Sequence, residues 1–491
     1  MPDHPDALLS QVSAQIATQV GLHFPPERFS DLQRGLANAA AELGFDNLPA
    51  CLRGLAAAPF ARTQIQILAS HLTVGETYFF RDRAIFEALE TTVLPRLREK
   101  RRGERRLRIW SAACCSGEEA YSLAIAVQRT IPDLSGWHVR ILGTDINRHF
   151  LRKAEEAVYG EWSFRETLPA ERERYFTAGG DGRWTVRPAV REMVQFSYLN
   201  LAEGPYPSLM TDTNAMDLIF CRNALIYFRP DQAQRVVRNL ARSLSDDGWL
   251  MLAASEAPQA AAAPELSLVH LSGTIAFQKA AQPSQPPLNP PTAVLPAAPP
   301  PAAMPQPPSC MQGRTGRRTT TVISLPPPDS PFEAASSLYR EGRYAEAVSM
   351  LSTPNAGTEP PILALLSRAL ANLGKLEAAL ASCDRLIATD RMNPVGHYLR
   401  GDILRELGRE DEAAGSFRRA LYIDPEFVLA YFVLAHLARQ RGQALQARRH
   451  LANAMALARA LPADQPLPES DGLTAGELTK LIAALQAERA A

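Results

Sequence analysis

The chain predicts an α/β domain of Rossmann-like order, with a helical domain in front of it, a small inserted β-subdomain, and an α-α solenoid behind. Three observations carry that reading. Between Arg108 and Asp145 an apolar run (Ile109, Trp110) enters a loop of small residues, Ser111 to Gly117, and a helix follows with Tyr121, Leu123, Ile125 and Val127 on its packing side; Val139 to Leu142 then leads to an acid. Strand, small-residue loop, helix, strand and acid is the βαβ order of a nucleotide-type site. A proline-dense stretch over residues 281–330 cannot bury a core and separates two folded parts. Beyond it Gly342, Gly374, Gly408 and Gly442 recur at intervals of 32, 34 and 34 residues, each followed five residues later by an alanine. That is the period of stacked helix pairs.

A length of 491 residues accommodates two or three domains with cores of their own. The 52 basic and 52 acidic residues cancel, which argues against a nucleic-acid partner. The six cysteines show no metal-ligand spacing and favour a reducing compartment. The first twenty residues lack the basic start and apolar block of a targeting segment, and no long uncharged apolar run follows. A soluble, cytoplasmic protein without membrane insertion is expected.

From the N-terminus, Leu9, Val12, Ile16 and Val20 recur at helical spacing, and further helical segments carry Phe29, Leu32, Leu36 and Leu43, then residues 50–58 and 61–72. Residues 1–82 read as a helical domain, either a scaffold over one side of the next domain or a direct substrate contact. The main domain is expected over 83–280. It opens with a basic run, Arg96 to Arg108, which reads as a solvated face, with steering of an acidic partner as the alternative.

The loop after the first strand carries one glycine, Gly117, and two acids, Glu118 and Glu119. Two carboxylates at a helix start suit a pyrophosphate poorly but suit hydroxyls or a cation. A cofactor with a ribose and a sulfonium charge, S-adenosylmethionine, therefore fits better than NAD or ATP. An ordinary nucleotide site and a merely structural unit stay open on this pattern alone.

Four motifs then carry a resemblance. The segment W-S-A-A-C-C-S-G-E-E-A-Y-S (Trp110 to Ser122), with H-L-T-V-G-E-T-Y-F-F-R (His71 to Arg81), G-T-D-I (Gly143 to Ile146) and D-L-I-F-C-R-N-A-L-I-Y-F (Asp217 to Phe228), resembles the chemotaxis receptor glutamate methyltransferases of the CheR family over roughly residues 8–280. The resemblance implies a Rossmann-like methyltransferase domain. It also implies methyl transfer from S-adenosylmethionine to glutamates of a chemoreceptor's cytoplasmic domain, giving glutamate methyl esters and S-adenosylhomocysteine. It places Arg81 at the reacting carboxylate, where a guanidinium offers bidentate geometry, with Tyr227 beside it as a second catalytic group. The cofactor set expected is Thr77, Ala113, Gly117, Glu118, Asp145, Asn200, Leu201 and Asn223, and no metal. Asn200 and Asn223 fall after strands, where ligands of open α/β sheets gather, and an amide both donates and accepts; helix capping is the plain alternative for Asn223. The chain departs from the family at Cys115-Ser116 and at Ala253-Ala254, which bears on fine geometry.

After a helix over 146–158, Gly179 to Gly182 separates two short strands, Tyr175 to Thr177 and Arg183 to Val186, in a β-subdomain expected over 168–194. Its turn is shorter than in family members that dock a receptor pentapeptide, so action without that tether is expected. Val194 to Tyr198 and Met216 to Phe220 continue the main sheet, Pro230 opens a helix to Leu244, and Gly248 to Ala253 with Ser267 to Phe277 form its last two strands.

The repeats, 331–462, are similar to tetratricopeptide repeats, whose glycine turns the chain between paired helices and whose alanine permits close crossing; the first unit is degenerate. Such an array has a concave surface for a protein partner. The terminal segment, 463–491, holds a helix that covers the last pair. Across a spacer at 281–330 the repeats are expected to be loosely placed, as a recruitment arm outside the chemistry. The rival reading is a cofactor-binding pseudoenzyme, an adaptor acting through its repeats.

Overall fold

The structure, a computed structural model, describes residues 5–203, 206–280, 331–353 and 357–470, with 473–476, 478–479 and 482–483. The expected spacer at 281–330 lies outside the described residues. Four helices open the chain: α1 (Pro5–Gln19), α2 (Phe29–Ala39), α3 (Leu48–Ala56) and α4 (Arg62–Leu72). The helical spacing of Leu9, Val12, Ile16 and Val20 places them on one face, where they meet Leu32, Leu36 and Leu68 in one apolar cluster. Ile146 and Tyr227 of the next domain pack on that cluster, so the two parts share a boundary.

After α5 (Arg83–Ala88) and α6 (Leu94–Lys100) comes the unit β1 (Arg106–Ala112), α7 (Glu118–Thr130), β2 (His138–Asp145). It is followed by α8 (Arg148–Glu156), β3 (Val158–Tyr159), α9 (Pro169–Tyr175), β4 (Phe176–Ala178), β5 (Trp184–Val186), α10 (Pro188–Arg191), β6 (Val194–Tyr198), β7 (Met216–Cys221), α11 (Pro230–Ser243), β8 (Leu244–Leu252), β9 (Leu266–Leu271) and β10 (Thr274–Lys279). The main sheet has seven strands in the order β6-β2-β1-β7-β8-β10-β9. From β6 to β8 neighbours run parallel, and β10 is antiparallel to β8 and β9. Every residue of β1 and β7 is buried, as parallel strands covered on both faces require. Strand order reverses between β1 and β7, and a crevice opens there beyond the carboxyl ends of the strands.

Two readings change. Ser267 to Phe277 is a hairpin of two strands turning at Gly273 (φ +76), with β10 inserted beside β8. The small sheet has three strands, β3-β5-β4, and takes β3 from outside the expected 168–194 stretch.

The basic run is also more than a solvated face. Arg101 donates to the buried Asp217 carboxylate at 2.7 Å. Lys100 pairs with Asp247, and Arg106 and Arg108 are buried. Sequence periodicity cannot see these partners, which come from strands more than a hundred residues away.

The repeats comprise α12 (Pro331–Arg340), α13 (Tyr344–Leu351), α14 (Pro360–Asn372), α15 (Leu376–Thr389), α16 (Pro394–Glu406), α17 (Glu410–Ile423), α18 (Val428–Gln440) and α19 (Ala444–Ala460). Each pair turns at a left-handed glycine, with φ between +70 and +75 at Gly342, Gly374, Gly408 and Gly442. Ala347, Ala379, Ala413 and Ala447 are buried at the crossings. The terminal segment does more than cover the last pair: Leu467, Leu478 and Ile482 enter the repeats' main cluster, and Glu469 pairs with Arg368 of α14 at 3.2 Å.

Nor are the repeats loosely placed. Arg108 of β1 pairs with Glu406 of α16 at 2.8 Å, and Arg405 of α16 and Arg140 of β2 both hold Asp212, at 2.9 and 3.3 Å. Burial works to raise the Asp212 carboxyl, but Arg405, Arg140 and Arg108 overcome it and hold the group well below the usual carboxylate range. Asn214 donates to the Ala371 carbonyl, and Leu209 joins the repeats' apolar cluster. These contacts gather at the amino ends of β1, β2 and β7, the end of the sheet away from the crevice.

Candidate active site

The turn after β1 is shaped by backbone conformation. Ala113 (φ +62), Cys115 (φ +51) and Gly117 (φ +92) are left-handed, which small side chains tolerate better than branched ones. The Cys114 N–H donates to the Thr144 carbonyl, and the Cys115 N–H to Asp145 Oδ2 at 2.9 Å; Asp145 Oδ1 accepts from the Asn147 N–H at 2.8 Å. Burial pushes the Asp145 carboxyl up to about 6, against those backbone donors.

A cavity of about 980 Å³, part of it open to solvent, occupies the crevice. Thr77, Arg81, Ala113, Asp145, Asn200, Leu201, Asn223 and Tyr227 line it, so the structure brings together eight of the ten residues singled out from the sequence. Val20 and Leu22 of the helical domain form part of its wall, which makes that domain more than a remote scaffold.

Gly117 and Glu118 are placed differently. A Cβ on Gly117 would meet Ala154 at 2.7 Å, so the glycine serves the approach of α8. The Glu118 carboxylate accepts from Ser116 and Ser163 at 2.8 and 3.0 Å, away from the cavity. Its neighbour Glu119 lines the cavity instead, accepting from Ser111 Oγ at 2.7 Å. Burial raises the Glu119 carboxyl, opposed chiefly by Arg222. Two adjacent acids at a helix start point in different directions, and their order alone does not say which faces inward.

The backbone at Arg81 is anchored on both sides. Phe79 is buried among Tyr159, Phe164 and Phe176, with ring centroids 4.7–5.0 Å away. Phe80 (φ +56) and Asp82 (φ +69) are both left-handed and turn Arg81 out of that core; such conformations persist where surrounding contacts impose them. Arg222 supplies those contacts, donating to the Arg81 carbonyl at 2.8 Å and to Asp82 at 3.2 Å, with Glu119 at 3.8 Å. Arg81 Nη1 donates to the Glu76 carbonyl at 2.7 Å. A guanidinium has five donors, so this neutral acceptor leaves most of its hydrogen-bonding capacity available.

Behind Asn223, which lines the other wall, the buried Glu256 accepts from the N–H groups of Asn223 and Leu225, at 2.9 and 2.8 Å, and of Ala253. It fixes Asn223 in its left-handed conformation (φ +56). Asn200 donates to the Gln19 carbonyl at 2.6 Å and accepts from Ala202, so its amide also ties α1 to the sheet. Tyr227 accepts at its carbonyl from the His23 N–H. Sequence reasoning read both acids at the helix start but took Glu118 where Glu119 lines the cavity, and it missed Arg222 in the lining and Glu256 behind Asn223. Arg222 lay inside C-R-N and Glu256 inside Ser255-Glu256, where the motifs were visible but the partners were not.

A left-handed turn without bulky side chains, a buried acid after β2, a second carboxylate facing the same space and a partly open cleft at the strands' carboxyl ends fit a ribose-bearing cation. Residues 75–267 match the family described as CheR methyltransferase, SAM binding domain, and residues 394–427 match the tetratricopeptide repeat. The α/β domain is that of an S-adenosylmethionine-dependent methyltransferase. Chemotaxis protein methyltransferase 1 of Pseudomonas aeruginosa is 40% identical over 196 residues, 39% of this chain and 69% of that protein. Chemotaxis protein methyltransferase Cher2 of Pseudomonas putida is 34% identical over 218 residues, 44% and 77% of the two chains. The probable biofilm formation methyltransferase WspC of Pseudomonas aeruginosa is 30% identical over 399 residues, 79% and 84% of the two. The chain belongs to the chemotaxis protein methyltransferase family.

Proposed function

We propose that the enzyme transfers the methyl group of S-adenosylmethionine to glutamate side chains in the cytoplasmic domain of a chemoreceptor, forming methyl esters. The observation that carries this reading is Arg81, a guanidinium fixed on the wall of the cavity that also contains Asp145 and Glu119. Asp145 accepts from ribose hydroxyls, Glu119 faces the positive end of the cofactor, and Thr77, Ala113, Asn200, Leu201 and Asn223 line the remainder. Bound S-adenosylmethionine supplies an electrophilic methyl on a good leaving group. The glutamate nucleophile is ionised near neutral pH, so the chain's work is alignment and exclusion of water. Arg81 binds the carboxylate and Tyr227 orients it; each carboxylate oxygen keeps a second lone pair, so a group held in bidentate fashion can still attack. Action in the cytoplasm accords with the helices described, none of which is long and apolar enough to cross a membrane.

Incubating the full chain with labelled S-adenosylmethionine and a recombinant cytoplasmic receptor fragment tests this. Label should appear as base-labile esters that mass spectrometry maps to glutamates. Label on any other residue type would overturn the glutamate assignment, and cofactor binding without transfer would favour an adaptor.

A further inference from the structure

Beside the cavity mouth an exposed tryptophan is held in a stack that neither the cofactor nor the reacting carboxylate explains. Trp162 is 71% exposed, yet its neighbours are fixed. The Ser163 carbonyl accepts from the Phe79 N–H at 2.9 Å, the Ser163 hydroxyl bonds Glu118, and Phe164 is buried and stacked on Phe79 at 5.0 Å. The Arg165 guanidinium lies 3.6 Å from the Tyr78 ring centroid and 4.4 Å from that of Trp162, and donates to the Trp162 carbonyl at 3.0 Å. Arg81 lies 5.7 Å from the same Tyr78 ring. Two arginines thus alternate with two aromatic rings, from the group that receives the carboxylate outward to solvent.

We propose that the Tyr78–Arg165–Trp162 stack is the platform on which the acceptor segment of the receptor lies while its glutamate enters the cavity. The inference rests on the glutamate reading above and adds the surface that selects the substrate. Continuity is one argument: Thr77 and Arg81, on either side of Tyr78 and the Phe pair, line the cavity, so the strip adjoins the place where a side chain reaches Arg81. Chemistry is the other. A receptor segment that bears acceptor glutamates and packs against its own domain presents carboxylates beside apolar residues. Arg165, paired at the surface with the exposed Glu76 carboxylate at 3.6 Å, exchanges that partner for the first, and the Trp162 ring, whose apolar face is in water, meets the second. Tryptophan, tyrosine and arginine are the residue types that concentrate binding energy at interfaces, and stacked cations hold their geometry at little entropic cost. Val74, 53% exposed and lining the cavity, adds apolar surface at its edge.

Steady-state methylation of a recombinant cytoplasmic chemoreceptor fragment by the full chain, at saturating S-adenosylmethionine, tests the platform. Trp162→Ala and Arg165→Gln should each raise KM for the fragment about tenfold or more, as loss of an interface anchor does. The turnover number and the calorimetric affinity for S-adenosylmethionine should be unchanged. Unaltered KM in both variants, or a fall in turnover at constant KM, would overturn the platform while leaving the glutamate reading intact. A wild-type chain that transfers no methyl to the fragment's glutamates would overturn both, and needs no variant to be seen. Sedimentation of the wild type and Trp162→Ala closes the remaining case: a dimer lost only in the variant would reassign the strip to a second copy of this chain.

Discussion

Arg108 and Glu406 form a 2.8 Å ion pair between β1 of the methyltransferase domain and α16 of the repeats, with side chains only 3% and 0% exposed. The Glu406 carboxylate also accepts from Asn214 at 3.2 Å. An ion pair this deeply buried joins the two parts firmly, because losing either partner strands a charge in a low-dielectric interface. Glu406→Ala should therefore destabilise the full chain by about 3–5 kcal/mol, and pairing it with Arg108→Met should recover much of that. Denaturant melts of the two variants check this; a single variant within experimental error of the wild type would remove the interface.

A fragment ending near residue 280 should bind S-adenosylmethionine, since the cavity lies at the opposite end of the sheet, but melt below the intact protein. Removing the repeats uncovers Leu209 and leaves Asp212, Asn214 and Arg108 without their partners on α14 and α16. Equal melting temperatures, with unchanged hydrogen exchange across 206–215, would contradict the docking.

The acid after β2 sets a pH dependence. With its carboxyl pushed up to about 6 by burial, Asp145 is protonated in the free folded chain below that value and cannot then accept as a carboxylate from ribose. Cofactor affinity should be flat well above pH 6 and weaken as pH falls through it, approaching about tenfold per unit. Asp145→Asn should flatten the profile and weaken binding by about 1–3 kcal/mol. The effect on folding has its own sign: an acid whose folded pKa lies above its unfolded value costs stability at neutral pH, and the cost disappears as pH falls below the ordinary carboxylate range. Calorimetry across pH 5–8 decides the binding claim, and an unchanged profile in Asp145→Asn would refute it.

The adjacent acids should separate by role. Glu119→Gln should weaken S-adenosylmethionine binding with little change in melting, because its carboxylate faces the cavity. Glu118→Gln should do the reverse, because its oxygens hold Ser116 and Ser163. Calorimetry and thermal melts on both variants provide the contrast, and reversed outcomes would restore Glu118 to the site.

Much of this site was legible because its demands are local. The small residues of Ser111 to Gly117 mark a loop where the backbone can approach a ligand, Asp145 ends a strand, and Phe79–Phe80 followed by Arg81 marks a charge that must leave a core. The repeats were legible for the same reason, since each Gly and Ala acts within its own helix pair. What stayed hidden depends on tertiary approach. Asp212 reads as one polar residue in a loop until Arg405, in α16, reaches it, and nothing near Arg108 in the sequence announces Glu406. The choice between Glu118 and Glu119 turns on about a third of a helical turn, finer than an element boundary read from sequence can fix.

Arg81→Ala offers the most direct test of methyl transfer to a bound carboxylate. Single-turnover transfer from labelled S-adenosylmethionine to a saturating receptor fragment, beside calorimetric cofactor affinity for the same preparations, separates alignment from binding. The expected result is a rate about a hundredfold or more below wild type with cofactor affinity retained. Equal losses of rate and cofactor affinity, or an undiminished rate, would contradict the assignment of Arg81 to the substrate carboxylate.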